Sequence, residues 1–263
     1  MSSTRKALPR AVAVIPARYG STRFEGKPLA DILGKPMIQR VYEGVCQSKR
    51  IDEVIVATDD ERIREAVLTF GGKAMMTSSS HTTGTDRVAE IARKIRAEII
   101  VNVQGDEPLI KGTIIDKAVG PLFSDDRLPM ASLMTRMAEV KEWLNPNLAK
   151  VVVDQKDFAL YFSRSPIPFP RDLQFDCTFS NPFGGQVTLP LRAFKHIGVY
   201  VYRRNFLLKF SRMRPTPLEK LEKLEQLRAL ENGYRIKMTT VDYEPICVDT
   251  PEDLQKVIAS LSQ

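Results

Sequence analysis

Ala11-Val-Ala-Val-Ile-Pro-Ala17 is the stretch on which the fold turns. It is apolar without alternation, only seven residues long, and flanked by Arg10 and Arg18. Such a run reads as a strand buried on both faces, as in a parallel sheet. The pattern repeats downstream. Glu53–Thr58 (EVIVAT), Lys73–Met76 and Glu98–Val103 (EIIVNV) read as further strands. Helical spacing fills the intervals at Pro36–Ser48, Asp60–Phe70 and Thr85–Arg96. Asp59 or Asp60 is the expected cap of the second helix, and Thr85 or Asp86 of the third. Strands alternating with helices predict an α/β fold, a mostly parallel Rossmann-like sheet with helices on both faces. Right-handed crossovers then align the strand C-terminal ends along one edge, where ligands bind.

The second half is less regular. Lys150–Asp154, Phe158–Phe162, Ile197–Tyr202 and Arg235–Val241 read as strands. Ser163–Arg171 holds three prolines and must be extended or turning. Asp172–Leu191 reads as a loop with Asn181-Pro182 and Gly184-Gly185 as turn signals. Pro217–Asn232 is the clearest helical pattern, stopped by Gly233. Thr250-Pro-Glu-Asp253 is a capping box that opens a last helix.

Composition narrows the function. The chain has 263 residues, 43% hydrophobic and 27% charged, as globular chains do. No apolar run reaches the roughly 18–20 residues that would span a bilayer, and MSSTRKALPR lacks the apolar stretch of a secretory signal. Cys46, Cys177 and Cys247 are odd in number and far apart, which argues against a disulfide framework or a zinc site and for a reducing cytoplasm. The net charge of +7 fits a basic surface, an anionic ligand or nucleic acid, but no basic block of five to eight residues appears.

Three loops at the strand ends are chemically loaded. The first, Pro16 to Pro28, carries two glycines and the cations Arg18, Arg23 and Lys27. Its glycines free backbone N–H groups for an anion, and its cations can neutralise a polyphosphate. Its spacing is neither a Walker A loop nor GxGxxG, and a plain basic surface loop is the alternative. The second, Gln104-Gly-Asp-Glu-Pro108, puts Asp106 after a buried strand, where it is either a Mg²⁺ ligand or an ordinary turn acid. In the third, Thr250 caps the last helix and leaves Asp249 free for a metal or for solvent. If the strand before Asp249 lies beside the strand before Asp106, the two carboxylates could share one ion.

Within Pro217–Asn232, the leucines at 218, 221, 224, 227 and 230 sweep an arc of about 240°. Glu225 falls inside that arc and needs a partner, either Arg228 or a substrate hydroxyl. Gln226 projects from the polar side. His196 precedes a strand and reads as structural on its own. Arg164 sits among prolines that could aim its guanidinium. His81 precedes Thr82–Arg87, a turn feeding a helix N-terminus.

Seven segments in register, IPARYGSTRFEGKPLADILGKPMI, HTTGTDRVAE, VNVQGDEPLI, YFSRSPIP, KHIGVYVYR, LEKLEQLRALENG and VDTPEDL, resemble the 3-deoxy-manno-octulosonate cytidylyltransferase family over about residues 11–260. The resemblance implies an α/β nucleotidyltransferase in one domain. About 11–150 would bind nucleotide, about 151–215 would form a smaller β-rich acceptor and dimerisation lobe, and 216–263 would close the fold. It implies a cytoplasmic homodimer that uses CTP and Mg²⁺ to activate an acidic eight-carbon sugar for lipopolysaccharide synthesis, without nucleic acid or membrane insertion. It assigns Arg18, Arg23, Lys27, Gly84 and Arg87 to the nucleotide, with Lys27 and Arg18 catalytic. Asp106 and Asp249 are assigned to the metal, also as catalytic groups. Gln104, Arg164, His196, Tyr200, Glu225 and Gln226 are assigned to the sugar. The chain departs from the family pattern at Glu25, which adds a negative charge beside the phosphate loop. Phe169 stands where an indole is usual, and Thr83 where serine is frequent. The rival expectations are the same transfer to an 8-amino sugar or a sialic acid, a nucleic-acid-binding protein, and a catalytically dead nucleotide-binding regulator.

Overall fold

The computed structural model describes residues 10–20, 24–171 and 192–262. In chain order it begins with β1 (Ala11–Ala17), the short strands β2 (Asp31–Ile32) and β3 (Lys35–Pro36), and α1 (Met37–Cys46). β4 (Glu53–Thr58), α2 (Glu61–Thr69), β5 (Ala74–Met76), α3 (Gly84–Lys94) and β6 (Ile99–Asn102) follow. Next come α4 (Gly112–Ser124), β7 (Met130–Arg136), α5 (Val140–Leu144), β8 (Lys150–Val153), β9 (Ala159–Ser163) and β10 (Phe194–Arg203). The chain continues through α6 (Arg204–Phe210), α7 (Pro217–Glu222), α8 (Leu227–Glu231), β11 (Ile236–Thr240) and α9 (Pro251–Leu261). The expected loop Asp172–Leu191 lies outside the described residues.

Two compact units emerge, neither of them a contiguous stretch. The first comprises residues 1–131, 198–213 and 243–263, the second 132–197 and 214–242. In the first unit β1 is central. It pairs in parallel with β4, Val12 opposite Glu53, and with β6, Ala11 opposite Ile99. β5 adds in parallel to β4, and the end of β10 runs antiparallel to β6, Tyr200 opposite Asn102. Val12 through Ile15 are wholly buried, as the unbroken apolar run requires. α9 follows its capping box, and its Val257 packs with Ile32, Met37 and Val248.

In the second unit β8 and β9 pair antiparallel, Lys150 opposite Ser163, and the start of β10 adds to β8, Lys195 opposite Lys150. Trp143 of α5 is fully buried with Met137 and Ala193, and its indole N–H donates to the Ile167 carbonyl at 3.0 Å. That bond tethers the proline-rich segment.

The expected helix Pro217–Asn232 is broken. α7 ends at Lys223, which adopts a left-handed conformation with φ 54°, and α8 resumes at Leu227. Tertiary bonds override local propensity here. The Glu222 carboxylate is taken by the Ser163 hydroxyl at 2.6 Å and the Arg164 N–H at 2.9 Å. Glu219 is taken by Arg228 at 2.5 Å. The continuous leucine arc therefore does not exist, and Leu221 is 78% exposed.

Candidate active site

A cleft of about 260 Å³ opens in the first unit at the C-terminal ends of β1 and β6. Gly26 turns the loop that enters it. Its φ of 69° and its N–H bond to the Tyr19 carbonyl fold the loop back, and a Cβ there would meet the Tyr19 ring at 3.1 Å. The turn delivers Lys27 into the cleft.

Lys27 Nζ donates to Asp106 Oδ2 at 2.9 Å and to Asp249 Oδ1 at 3.4 Å. The two expected metal ligands are thus brought together, although the residues leading to Asp249 form no strand. The Val248 N–H instead donates to the Asp106 carbonyl at 2.9 Å. Gly105 lets the Asp106 loop approach β1, since a Cβ there would lie 3.0 Å from the Pro16 carbonyl oxygen. Two carboxylates and one ammonium leave this cluster net negative.

The N-terminus of α3 faces the same cleft through Thr82, Thr83 and Gly84. Its cap is Thr83, whose hydroxyl accepts from the Asp86 N–H at 3.1 Å, rather than Thr85 or Asp86. Thr85 is buried and accepts from the Asn102 amide. A helix N-terminus offers N–H groups and a partial positive charge to a phosphate. Arg87 also lines the cleft, anchored by Asp59 at 2.8 Å. Arg18 is exposed at the cleft, and Arg23 lies outside the described residues.

Of the residues expected to hold a sugar, Gln104 and Tyr200 belong to the first unit. Gln104 lines the cleft and donates to the Gly198 carbonyl at 3.3 Å. A Cβ on Gly198 would sit 3.3 Å from the Gln104 side chain, so this position holds glycine for close approach. Tyr200 stacks on Tyr202 with ring centres 6.2 Å apart.

Arg164, His196, Glu225 and Gln226 belong to the second unit. Arg164 donates from Nε to the Glu222 carbonyl at 2.8 Å and from Nη1 to the Pro146 carbonyl at 3.0 Å. Both are neutral carbonyl acceptors, while the Glu222 carboxylate accepts from the Arg164 backbone N–H at 2.9 Å. A His196 ring nitrogen lies 2.8 Å from the Ser132 hydroxyl, and Phe162 meets the ring edge-on. Burial pushes its pKa down to about 3, which keeps the ring neutral. Gln226 is buried rather than on the polar side. The Arg228 side chain binds Glu219 at 2.5 Å, and the Arg228 N–H donates to the Glu225 carbonyl at 3.0 Å.

Sequence reasoning missed Glu107. This carboxyl is buried, and its Oε2 has no hydrogen-bond partner among the described residues. Burial, and then the neighbouring Asp106 charge, push it up to about 8. An acid followed by proline carries no signal of burial, so nothing local marked it.

The sequence and the fold both have known counterparts. A family described as "Cytidylyltransferase" matches residues 12–237. The 3-deoxy-manno-octulosonate cytidylyltransferase of Geotalea uraniireducens is 56% identical over 254 residues, covering 97% of this chain and 100% of that one. That of Geotalea daltonii is 57% identical over 252 residues, covering 96% and 98%. Among solved structures, a CMP:2-keto-3-deoxy-manno-octonic acid synthetase complexed with CTP superposes with a TM-score of 0.88 at 44% identity. It covers 97% of this chain and 99% of that one. A Leptospira borgpetersenii cytidylyltransferase shares the fold at TM-score 0.62 and 17% identity, over 96% of this chain and 87% of that one.

Proposed function

The chain belongs to the 3-deoxy-manno-octulosonate cytidylyltransferase family, and we propose that it transfers CMP from CTP to the anomeric hydroxyl of 3-deoxy-manno-octulosonate. The sugar oxygen bonds to the α-phosphorus, the bond from that phosphorus to the pyrophosphate oxygen breaks, and the hydroxyl proton leaves to solvent. The reading rests above all on the Asp106–Lys27–Asp249 cluster in a cleft that also presents a helix N-terminus.

The donor set fits Mg²⁺. Two carboxylates with hard oxygens border the cleft, and the cluster is net negative, as a divalent cation needs. Bound there, the ion supplies charge neutralisation for the triphosphate. Lys27 and Arg18 would add cationic contacts to the phosphates, and α3 its N–H groups. Asp59 holds Arg87 at the cleft wall in one orientation, so its guanidinium would meet the nucleotide without a large ordering cost. Arg164 would pair with the sugar carboxylate. His196, neutral and bonded to Ser132, would read a hydroxyl without adding charge. No protein nucleophile is required, since phosphoryl transfer gains chiefly from positioning and charge stabilisation. The same reading makes the enzyme a cytoplasmic homodimer in lipopolysaccharide synthesis. Among the described residues no helix is long and apolar enough to cross a membrane.

The test is pyrophosphate release with Mg²⁺, each of the four nucleoside triphosphates, and a panel of acidic sugars that includes the 8-amino analogue and a sialic acid. Release is expected with CTP and 3-deoxy-manno-octulosonate. Preference for another nucleotide, or for the amino sugar, overturns the assignment.

A further inference from the structure

We propose that Lys150 is a positioning residue for acceptor binding: it fixes the turn of backbone carbonyls on which the Arg164 guanidinium rests. The proposal depends on the reading of Arg164 as the group that pairs with the sugar carboxylate.

Lys150 is wholly buried in β8. Its ammonium donates to the carbonyls of Asn145 at 2.7 Å, Leu148 at 2.8 Å and Arg164 at 2.6 Å. An ammonium has three donors, and all three are used. Arg164 takes the two carbonyls in between, from Nη1 to Pro146 at 3.0 Å and to Asn147 at 3.4 Å. Four consecutive carbonyls, 145 to 148, therefore turn toward two cations, the outer pair to Lys150 and the inner pair to Arg164. Lys150 also holds the Arg164 carbonyl, so it fixes the guanidinium's support and its backbone together. The nearest carboxylate, Glu222, is occupied by the Ser163 hydroxyl and the Arg164 N–H.

Burying an ammonium against neutral carbonyls is costly. Desolvation, and then the Arg164 charge, pull Lys150 down to about 8. A methionine would fill the same volume without that cost, but would release the turn. Two cations against one committed carboxylate leave the cluster net positive, which suits an anionic acceptor group.

The experiment compares Lys150→Met, Arg164→Ala and the double variant in the full chain. It reads the acceptor KM at saturating CTP, the CTP Kd without acceptor, and Tm. Lys150→Met is expected to raise the acceptor KM at least about tenfold, equivalent to about 1.4 kcal/mol, with the CTP Kd within twofold. Added to Arg164→Ala, it should change the acceptor KM by less than about twofold, because both act through one group. Should Lys150→Met not fold, Asn145→Ala serves instead. It removes the bond that the Asn147 N–H donates to Asn145 Oδ1, which closes the turn, and is expected to raise the acceptor KM about threefold or more. An unchanged acceptor KM in Lys150→Met, or in Asn145→Ala where that variant stands in, overturns the proposal. So does a multiplicative double variant, or an equal loss of CTP affinity. A normal acceptor KM in Arg164→Ala overturns the acceptor reading and this proposal together, whereas a defect there beside a normal Lys150→Met overturns this proposal alone.

Discussion

Lys27 and Lys150 are both lysines drawn in from the surface, and their surroundings are opposite. Lys27, in the first unit, faces two carboxylates and leaves a net negative cluster. Lys150, in the second, faces only carbonyls and shares its turn with another cation, leaving a net positive one. On the proposed reading, the first arrangement would receive a metal ion and the second an acid. The histidines follow the same division. His81 in the first unit meets the Glu90 carboxylate at 2.6 Å, whereas His196 in the second meets the Ser132 hydroxyl and the Phe162 ring.

The largest effect expected within this contrast is on stability. Glu219–Arg228 is a buried pair whose loss on one side strands a charge. Arg228→Met should destabilise the protein by about 3–5 kcal/mol in denaturant unfolding, and an effect below about 1 kcal/mol would show the pair to be dispensable. Next in size, Asp106→Asn and Asp249→Asn should each lower kcat by at least about 100-fold with Mg²⁺ saturating. Near-normal turnover in either would remove the metal from the first unit and with it half of the comparison.

A third effect sets one half against the other through pH. His196 has a folded pKa near 3 against an ordinary 6.5, so its contribution is present above pH 6.5 and is lost as pH falls below it. Glu107 has a folded pKa near 8 against 4.5, so its contribution is present below pH 4.5 and is lost as pH rises toward 8. Between about pH 5 and 6.5 the two slopes oppose each other, each worth on the order of 2 kcal/mol. Metal-free stability should be nearly flat there. Glu107→Gln should lose stability on acidification over that range, and His196→Asn should gain it. Identical slopes in both variants would show that neither burial acts as described. The smallest effect is at Lys27. Lys27→Ala should raise the KM for CTP about tenfold, equivalent to about 1.4 kcal/mol, and leave the acceptor KM unchanged. A defect confined to the acceptor would place Lys27 in the wrong half.

The first unit was far more legible than the second, for a physical reason. β1 and β4 occur where their apolar runs begin and end, and α2 starts at an Asp60 cap and α9 at its capping box, because burial on both faces and local capping write themselves into adjacent residues. The meeting of Asp106 and Asp249 was foreseen as a consequence of neighbouring strands, but no strand leads to Asp249, and a backbone bond from Val248 to Asp106 joins the two loops instead. In the second unit the deciding interactions join distant residues. Glu222 reaches Ser163 and Arg164, and Glu219 reaches Arg228, so a sequence of strong helix formers breaks at Lys223. Lys150 carries no sign in the sequence that three carbonyls await it.

Lys27 and Asp249 stand 222 residues apart, and Asp106 only 79 from Lys27. Ribosomes add about 5–20 residues per second, so the nascent chain carries Lys27 beside a single carboxylate for most of its synthesis and acquires the second roughly 10–40 s after Lys27 itself is made. Once Asp106 has been made, 79 residues after Lys27, the half-made cleft balances one ammonium against one acid and has little claim on a divalent cation. If the proposed metal site holds, its competence would arrive late in translation, with α9, and the growing chain would be spared from gathering ions and nucleotide around an unfinished sheet.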